Sequence, residues 1–330
     1  MPFASIFGHA QLVALLRQAV SRRRVPQSLI FAGPEGVGKR AIAMALAQAV
    51  NCPRAKDGDA CGECPTCLRI ARGQHSDVTL VDQGDEPSIK IQVIRDRILA
   101  TIGYRPFEAS RRVYIIDPAD AMTDGAQDAL LKTLEEPPAA AMIVLVTAYP
   151  DSLAATIRSR CRRLRFGPLS DADVARVLVE RAGVAALPAR TLASAAGGSV
   201  SRALAEQAGE LEDDRDAALG LLTAARQPRV GPRLKASAAL ARNDSDRRDR
   251  DALATRLTLV AALLRDLAAI RAGADIPLAN ADLADTLRDL SPAFDLPRVA
   301  DASDAIDTCL NALGRNASPK IVSDWIALAI

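Results

Sequence analysis

The chain has 330 residues, 49% hydrophobic and 25% charged, with aromatics at only 3% and a formal net charge of +2. This is ordinary globular composition leaning toward helix, long enough for two or three domains, and its six cysteines do not make a disulfide scaffold. The near-neutral balance argues neither for nor against a nucleic-acid partner. No apolar run approaches the ~18 residues of a membrane span and no signal-peptide pattern opens the chain, so a cytoplasmic protein is expected.

Gln11–Arg24 carries Leu12, Leu15, Leu16 and Ala19 at helical spacing and ends in Arg22-Arg23-Arg24, a solvated helix end or a phosphate contact. Ser28–Ala32 reads as a buried strand. Gly33-Pro34-Glu35-Gly36-Val37-Gly38-Lys39-Arg40 follows, and Ala41–Val50 reads as a helix. Strand, glycine loop and helix in succession make a phosphate loop. Gly33, Gly36 and Gly38 let backbone N–H groups turn around an anion, the helix N-terminus adds positive potential, and Lys39 reaches the terminal phosphates. A Ser or Thr should come next and hold Mg²⁺. Arg40 stands there instead, and a guanidinium cannot ligate a metal.

Cys52, Cys61, Cys64 and Cys67 put four thiols within sixteen residues, three of them at CxxC spacing. That donor set suits tetrahedral Zn²⁺. Four thiolates leave no open position, so the metal is structural. His75 reads as a loop residue rather than a ligand. Val78–Val81 is a short strand, and Ile89–Ile102 is an amphipathic helix with Ile91, Ile94, Ile98 and Ile102 roughly in register. Arg111–Asp117 is a third strand ending in Asp117, which fits the metal-side acid of a phosphate-loop protein. The next position should hold a carboxylate that activates water, but Pro118 offers no base.

Ala126–Glu136 is a helix stopped by Pro137-Pro138. Met142–Thr147 is a fourth buried strand, with Thr147 at the end where open parallel sheets bind ligands. Leu153–Ser159 is a short helix leading into Ser159-Arg160-Cys161, and Arg162–Phe166 is a fifth strand. Beyond Pro168 the chain reads as helix, broken at Gly197-Gly198. The last helix carries an apolar stripe through Ile321, Trp325 and Leu328, with Trp325 read as core rather than interface.

The glycine loop, the cysteine insert after the first sheet helix, Leu130-Leu131-Lys132-Thr133-Leu134-Glu135-Glu136-Pro137-Pro138 and Ser159-Arg160-Cys161 together resemble bacterial clamp-loader subunits of the AAA+ class. These load the sliding clamp for the DNA polymerase III holoenzyme. The resemblance implies an α/β fold followed by an all-α region. An AAA+ base at 1–166 would hold a five-stranded parallel sheet and a zinc module at 52–67; a helical lid at 167–208 and a helical collar at 209–330 would follow. The ATPase subunits gamma and tau keep the Ser or Thr and an acidic pair. Arg40 and Pro118 resemble the delta prime branch, which does not hydrolyse ATP.

The resemblance further implies that Arg160 is an arginine finger acting in trans on a neighbouring ATPase subunit. Thr147 and Arg202 become the two sensors of a degenerate ATP/ADP site that keeps Gly33, Gly36, Gly38, Lys39 and Asp117. Lys90 and Arg95 become candidate phosphate contacts to DNA, with a solvated charged face as the alternative. The implied partners are the gamma/tau and delta subunits and, through the complex, the sliding clamp and primer–template DNA, with no membrane. Two other readings compete. One is a hydrolysing motor of the same family that tolerates Arg40 and Pro118. The other is a zinc-containing phosphate-loop protein acting on nucleic acid or a small phosphorylated substrate, which leaves the Leu130–Pro138 and Ser159–Cys161 stretches unexplained.

Overall fold

The computed structural model describes residues 1–84, 86–207, 212–227, 229–241, 246–276, 278–314 and 317–330. It divides into two compact units, Met1–Val177 with Gly198–Ser201, and Leu178–Gly197 with Arg202–Ile330. The expected boundary between 208 and 209 lies outside the described residues.

The first unit is built on five strands: β1 (Ser28–Ala32), β2 (Val78–Val81), β3 (Arg112–Ile116), β4 (Ala141–Thr147) and β5 (Arg162–Arg165). All pairs are parallel and the spatial order is β2-β3-β4-β1-β5. Every residue of β1 and β4 is buried, as their unbroken apolar runs require of strands covered on both faces. β5 exposes Arg162, Arg163 and Arg165 and buries only Leu164, the pattern of a charged edge. Ala32 pairs with Thr147, so the glycine loop leaves the sheet beside the end of β4.

The helices of this unit are α1 (Ala10–Ser21), α2 (Lys39–Asn51), α3 (Pro65–Ala71), α4 (Ile91–Ile94), α5 (Ala100–Ile102), α6 (Asp124–Glu135) and α7 (Ala155–Arg160). α6 starts where Thr123 Oγ1 accepts the Ala126 N–H, 3.3 Å away, and buries Leu130 and Leu134. α3 was not expected from the sequence. Cys64 is its N-cap and Pro65 its first residue, a combination that reads as a helix start in retrospect.

The expected continuous helix over Ile89–Ile102 is corrected. Ile89 bridges to Met122 ahead of α4, and Arg95–Leu99 form a π-helical turn between α4 and α5. Ile94, Ile98 and Ile102 are all buried. A four-residue step overshoots an α-helix turn by about 40°, and the wider π-turn swings the stripe back toward the core.

The second unit is helical. α8 (Asp171–Ala182), which enters it, begins where Ser170 Oγ accepts the Asp173 N–H. α9 (Ala186–Ala195), α10 (Val200–Gln207), α11 (Glu212–Ala225), α12 (Val230–Leu240), α13 (Asp246–Ala272), α14 (Ala284–Leu290), α15 (Leu296–Gly314) and α16 (Pro319–Ala329) follow. Leu257, Val260, Leu264 and Leu267 of α13 share one core with Val299, Ile306 and Cys309 of α15 and with Val322 and Ile326 of α16. Trp325 is not core: it is 45% exposed, on one stripe with Ile321 and Leu328, which are also exposed. Core packing of α16 falls to Val322 and Ile326, one residue around the helix. Among the described residues, no helix is long and apolar enough to cross a membrane.

Candidate functional site

The glycine loop joins β1 to α2 at the carboxyl edge of the sheet. A Cβ at Gly33 would lie 2.2 Å from the Phe166 carbonyl oxygen. Gly36 has φ +72°, and a Cβ there would lie 2.1 Å from both Ser199 Oγ and Ser201 Oγ. Close approach therefore demands glycine at both positions. The Val200 N–H donates to the Gly36 carbonyl, 2.9 Å, holding the loop from behind.

Lys39 is buried and its Nζ donates to the Gly33 and Pro34 carbonyls, 2.6 Å each. Burial lowers its pKa, opposed by the carboxylates of Glu35, Asp117 and Asp120. Arg40 turns back over the sheet edge. Its Nε lies 3.7 Å from Asp117 and its Nη2 3.8 Å from Asp82. Burial raises the Asp117 pKa, with Arg40 and Lys39 pulling it down. Thr147 is fully buried, donates to Asp120 at 2.6 Å and accepts the Tyr149 N–H at 2.9 Å. The structure thus brings Gly33, Gly36, Gly38, Lys39, Arg40, Asp117 and Thr147 to one edge, and adds Asp82 and Asp120. Arg202 belongs to the second unit, where its guanidinium donates to the Ala196 carbonyl at 3.4 Å.

The four cysteines converge. Cys52 caps the C-terminus of α2 and Cys64 the N-terminus of α3. All four Sγ atoms lie within 4.8 Å of one another, with Cys52 3.6 Å from Cys61 and 3.9 Å from Cys64. Ligands at a Zn–S distance of ~2.3 Å around a tetrahedron stand about 3.8 Å apart, so the set fits such an ion. Backbone N–H groups of Cys61, Cys64 and Cys67 donate to the preceding sulfurs at 3.4 Å, an arrangement that stabilises thiolates. The Glu63 N–H leads the causes that bring the Cys61 thiol down to about 6, while burial pushes Cys52 and Cys67 up. The cluster can hold a metal ion.

His75 stands outside this cluster, buried, with Nδ1 accepting the Asp77 N–H and Nε2 3.6 Å from Glu108. Asp77 is a residue that sequence reading passed over. Its fully buried carboxylate accepts the N–H groups of Phe107, Glu108 and Ala109 and pairs with Arg112 at 3.0 Å. Burial alone would raise its pKa; those donors outweigh it and the net shift is downward. Glu108 also pairs with Arg69 of α3 at 2.7 Å, which ties this loop to the cysteine module.

Arg160 ends α7. Its Nη1 donates to the Thr156 carbonyl at 2.9 Å and its Nη2 to Glu135 at 2.6 Å. Lys90 is exposed and paired with Glu86 at 2.8 Å; Arg95 is exposed at the start of the π-turn. The structure does not bring these two to the glycine loop's charge network.

A family model described as DNA polymerase III, delta subunit, matches residues 8–170. The delta' subunit of DNA polymerase III from Bacillus subtilis is 36% identical over 174 residues, 52% of this chain and 51% of that protein. The tau subunit of the same organism is 36% identical over 165 residues, 50% of this chain and 29% of that protein. A gamma subunit-related protein of Thermotoga maritima superposes with a TM-score of 0.41 at 19% identity, covering 95% of this chain and 96% of that one. The chain spans about half or less of the length of the curated relatives it matches. Over residues 8–170 the chain therefore matches the DNA polymerase III delta-subunit family, and across its first half it is similar to the delta' and tau subunits.

Proposed function

We propose that this chain is a delta prime-like scaffold subunit of a DNA polymerase III clamp loader, without ATP hydrolysis of its own. It supplies Arg160 in trans to the nucleotide site of a neighbouring gamma/tau ATPase subunit. The observation that carries this reading is Arg40, whose guanidinium faces Asp117 and Asp82 where a phosphate-loop enzyme would gather its metal. A fixed cation at that edge repels Mg²⁺, and Pro118 removes the base, so turnover is lost twice over.

In this reading the base spans 1–166, the lid 167–208 and the collar 209–330. Cys52, Cys61, Cys64 and Cys67 hold a structural Zn²⁺. Gly33, Gly36, Gly38, Lys39, Thr147 and Arg202 are the remains of an ATP/ADP site. Delta is a further partner, and the complex brings the sliding clamp and primer–template DNA, with Lys90 and Arg95 as DNA phosphate contacts. The compartment is the cytoplasm. The exposed stripe Ile321, Trp325 and Leu328 suits the collar's assembly face.

The test is ATP turnover by the isolated chain, then by the reconstituted loader carrying Arg160→Ala. The expected result is no turnover alone and a roughly 10³-fold or greater drop in the complex. Turnover by the isolated chain overturns the scaffold reading.

A further inference from the structure

The Leu130–Pro138 run has so far been a family signature without a task. α6, which carries it, ends on Glu135, with Glu136 as its C-cap. A carboxylate in the last turn of a helix sits at the negative end of the helix dipole and is disfavoured there. Glu135 therefore needs a partner, and Arg160 is that partner at 2.6 Å.

The pair is one of two side-chain ties between α6 and the α7 segment among the described residues. At the start of α7, the Ala154 N–H donates to Gln127 Oε1 of α6 at 2.8 Å. At its end, Arg160 reaches Glu135. Between the ties Leu130, Leu134 and Ile157 share one apolar cluster, which Cys161 just beyond Arg160 also joins. α6 is thus a platform that fixes both ends of the short helix bearing Arg160. The guanidinium is further restrained by the Thr156 carbonyl and Ser159 Oγ on Nη1, while Nε has no partner among the described residues. The Arg160 side chain is 33% exposed and that of Glu135 51%, so the held guanidinium remains open to solvent.

We infer that Glu135 is a positioning residue for Arg160, holding its guanidinium in the orientation that presents the unpartnered Nε–H to a neighbouring subunit's phosphoryl group. This rests on the reading of Arg160 as a finger in trans. An arginine side chain samples many rotamers in water. A carboxylate in cis removes most of them before the neighbour arrives, so less freedom is lost in the transition state. Because the pair is exposed and screened, it can stretch or yield to a phosphate.

The experiment uses the reconstituted loader, with ATP turnover measured in the presence of clamp and primed DNA. Four forms are compared: wild type, Glu135→Gln, Arg160→Ala and the double variant. Glu135→Gln is expected to lower kcat roughly two- to fivefold, the scale of an exposed pair. KM for ATP and the thermal midpoint stay unchanged, and no further loss appears in the Arg160→Ala background. An unchanged kcat in Glu135→Gln, with Arg160→Ala inactive, overturns the positioning role and leaves the finger standing. A full additional loss in the double variant also overturns it, because Glu135 would then act through another group. If Arg160→Ala is itself harmless, the finger reading fails and the positioning role falls with it.

Discussion

α2 has a different kind of site at each end. Its C-cap, Cys52, joins three other thiols whose sulfurs converge on one point, with backbone N–H groups donating to them. Its first residues, Lys39 and Arg40, belong to a site in which the charges are answered from within. Lys39 is bound to its own loop carbonyls, Arg40 faces Asp117 and Asp82, and Thr147 holds Asp120. The contrast teaches that matching residue types is not enough for a ligand site. Unspent donor capacity aimed at one point marks the cysteines as a place for an ion. The glycine loop has kept its shape and internalised its electrostatics.

The largest expected effect comes from the end with capacity to spare. Cys64→Ser, or strong chelation, should abolish metal binding and open the segment from Cys52 to α3. Structural zinc contributes roughly 10–16 kcal/mol of apparent binding free energy in small modules. Metal analysis with hydrogen exchange on α3 and on the Phe3 and Ala4 amides checks this, because Asp59 within the module accepts both amides at 2.8 Å. Unchanged protection after metal loss would break the comparison at its stronger end.

Asp77 is the limiting case of a charge answered from within. Asp77→Ala should cost about 3–5 kcal/mol, the scale for breaking a buried, hydrogen-bonded charge pair, measured by denaturant unfolding. Its folded pKa is lowered, so its stabilisation is present above the ordinary carboxylate value and is lost as pH falls through the folded one. The stability gap between wild type and Asp77→Asn should stay constant from neutral pH to about pH 4 and narrow only below it. A gap that closes near pH 6 would assign the effect to another group.

Arg40→Thr should convert the internal cation into a metal ligand. Mg²⁺-dependent ATP affinity is expected to rise at least ~10-fold over wild type, about 1.4 kcal/mol, by calorimetric titration with and without chelator. No Mg²⁺-dependent gain would mean that the loop is closed by more than Arg40. The smallest effect belongs to Lys39→Ala, which should leave turnover of the assembled complex within about twofold of wild type, since Lys39 works on no substrate of its own.

Much of this was legible in the chain. The five strands were read almost to the residue because unbroken apolar runs between turn signals have few alternatives. The cysteines and the glycine loop were read because their chemistry is local in sequence. What escaped reading depends on distant closure. Asp77 looked like any loop acid, yet it anchors amides about thirty residues ahead. Glu135 was quoted within a motif, but its tie to Arg160 spans 25 positions and leaves no periodic trace. Trp325 was assigned to the core because an apolar stripe does not reveal which of two adjacent rows a helix buries. The π-turn at Arg95–Leu99 was missed because Ile91, Ile94, Ile98 and Ile102 look helical, although the two consecutive four-residue steps from Ile94 to Ile102 overshoot a straight α-helix.

The thirteen residues of α2 form a strut of about 20 Å, and its far foot is bolted. Gln48 near that foot donates to the Cys67 carbonyl at 2.6 Å, and Cys52 ends the helix inside the cysteine cluster. The position of the loop is therefore set by that anchored helix together with the Val200 N–H behind the loop and the Lys39 contacts inside it, not by what the loop binds. Such a strut makes the chemistry of its free end expendable. The exposed side chains at Glu35 and Arg40 can change while the buried Val37 and the two crowded glycines keep the path. For a protein engineer, that makes the loop a graft site whose scaffold does not need to be redesigned with it.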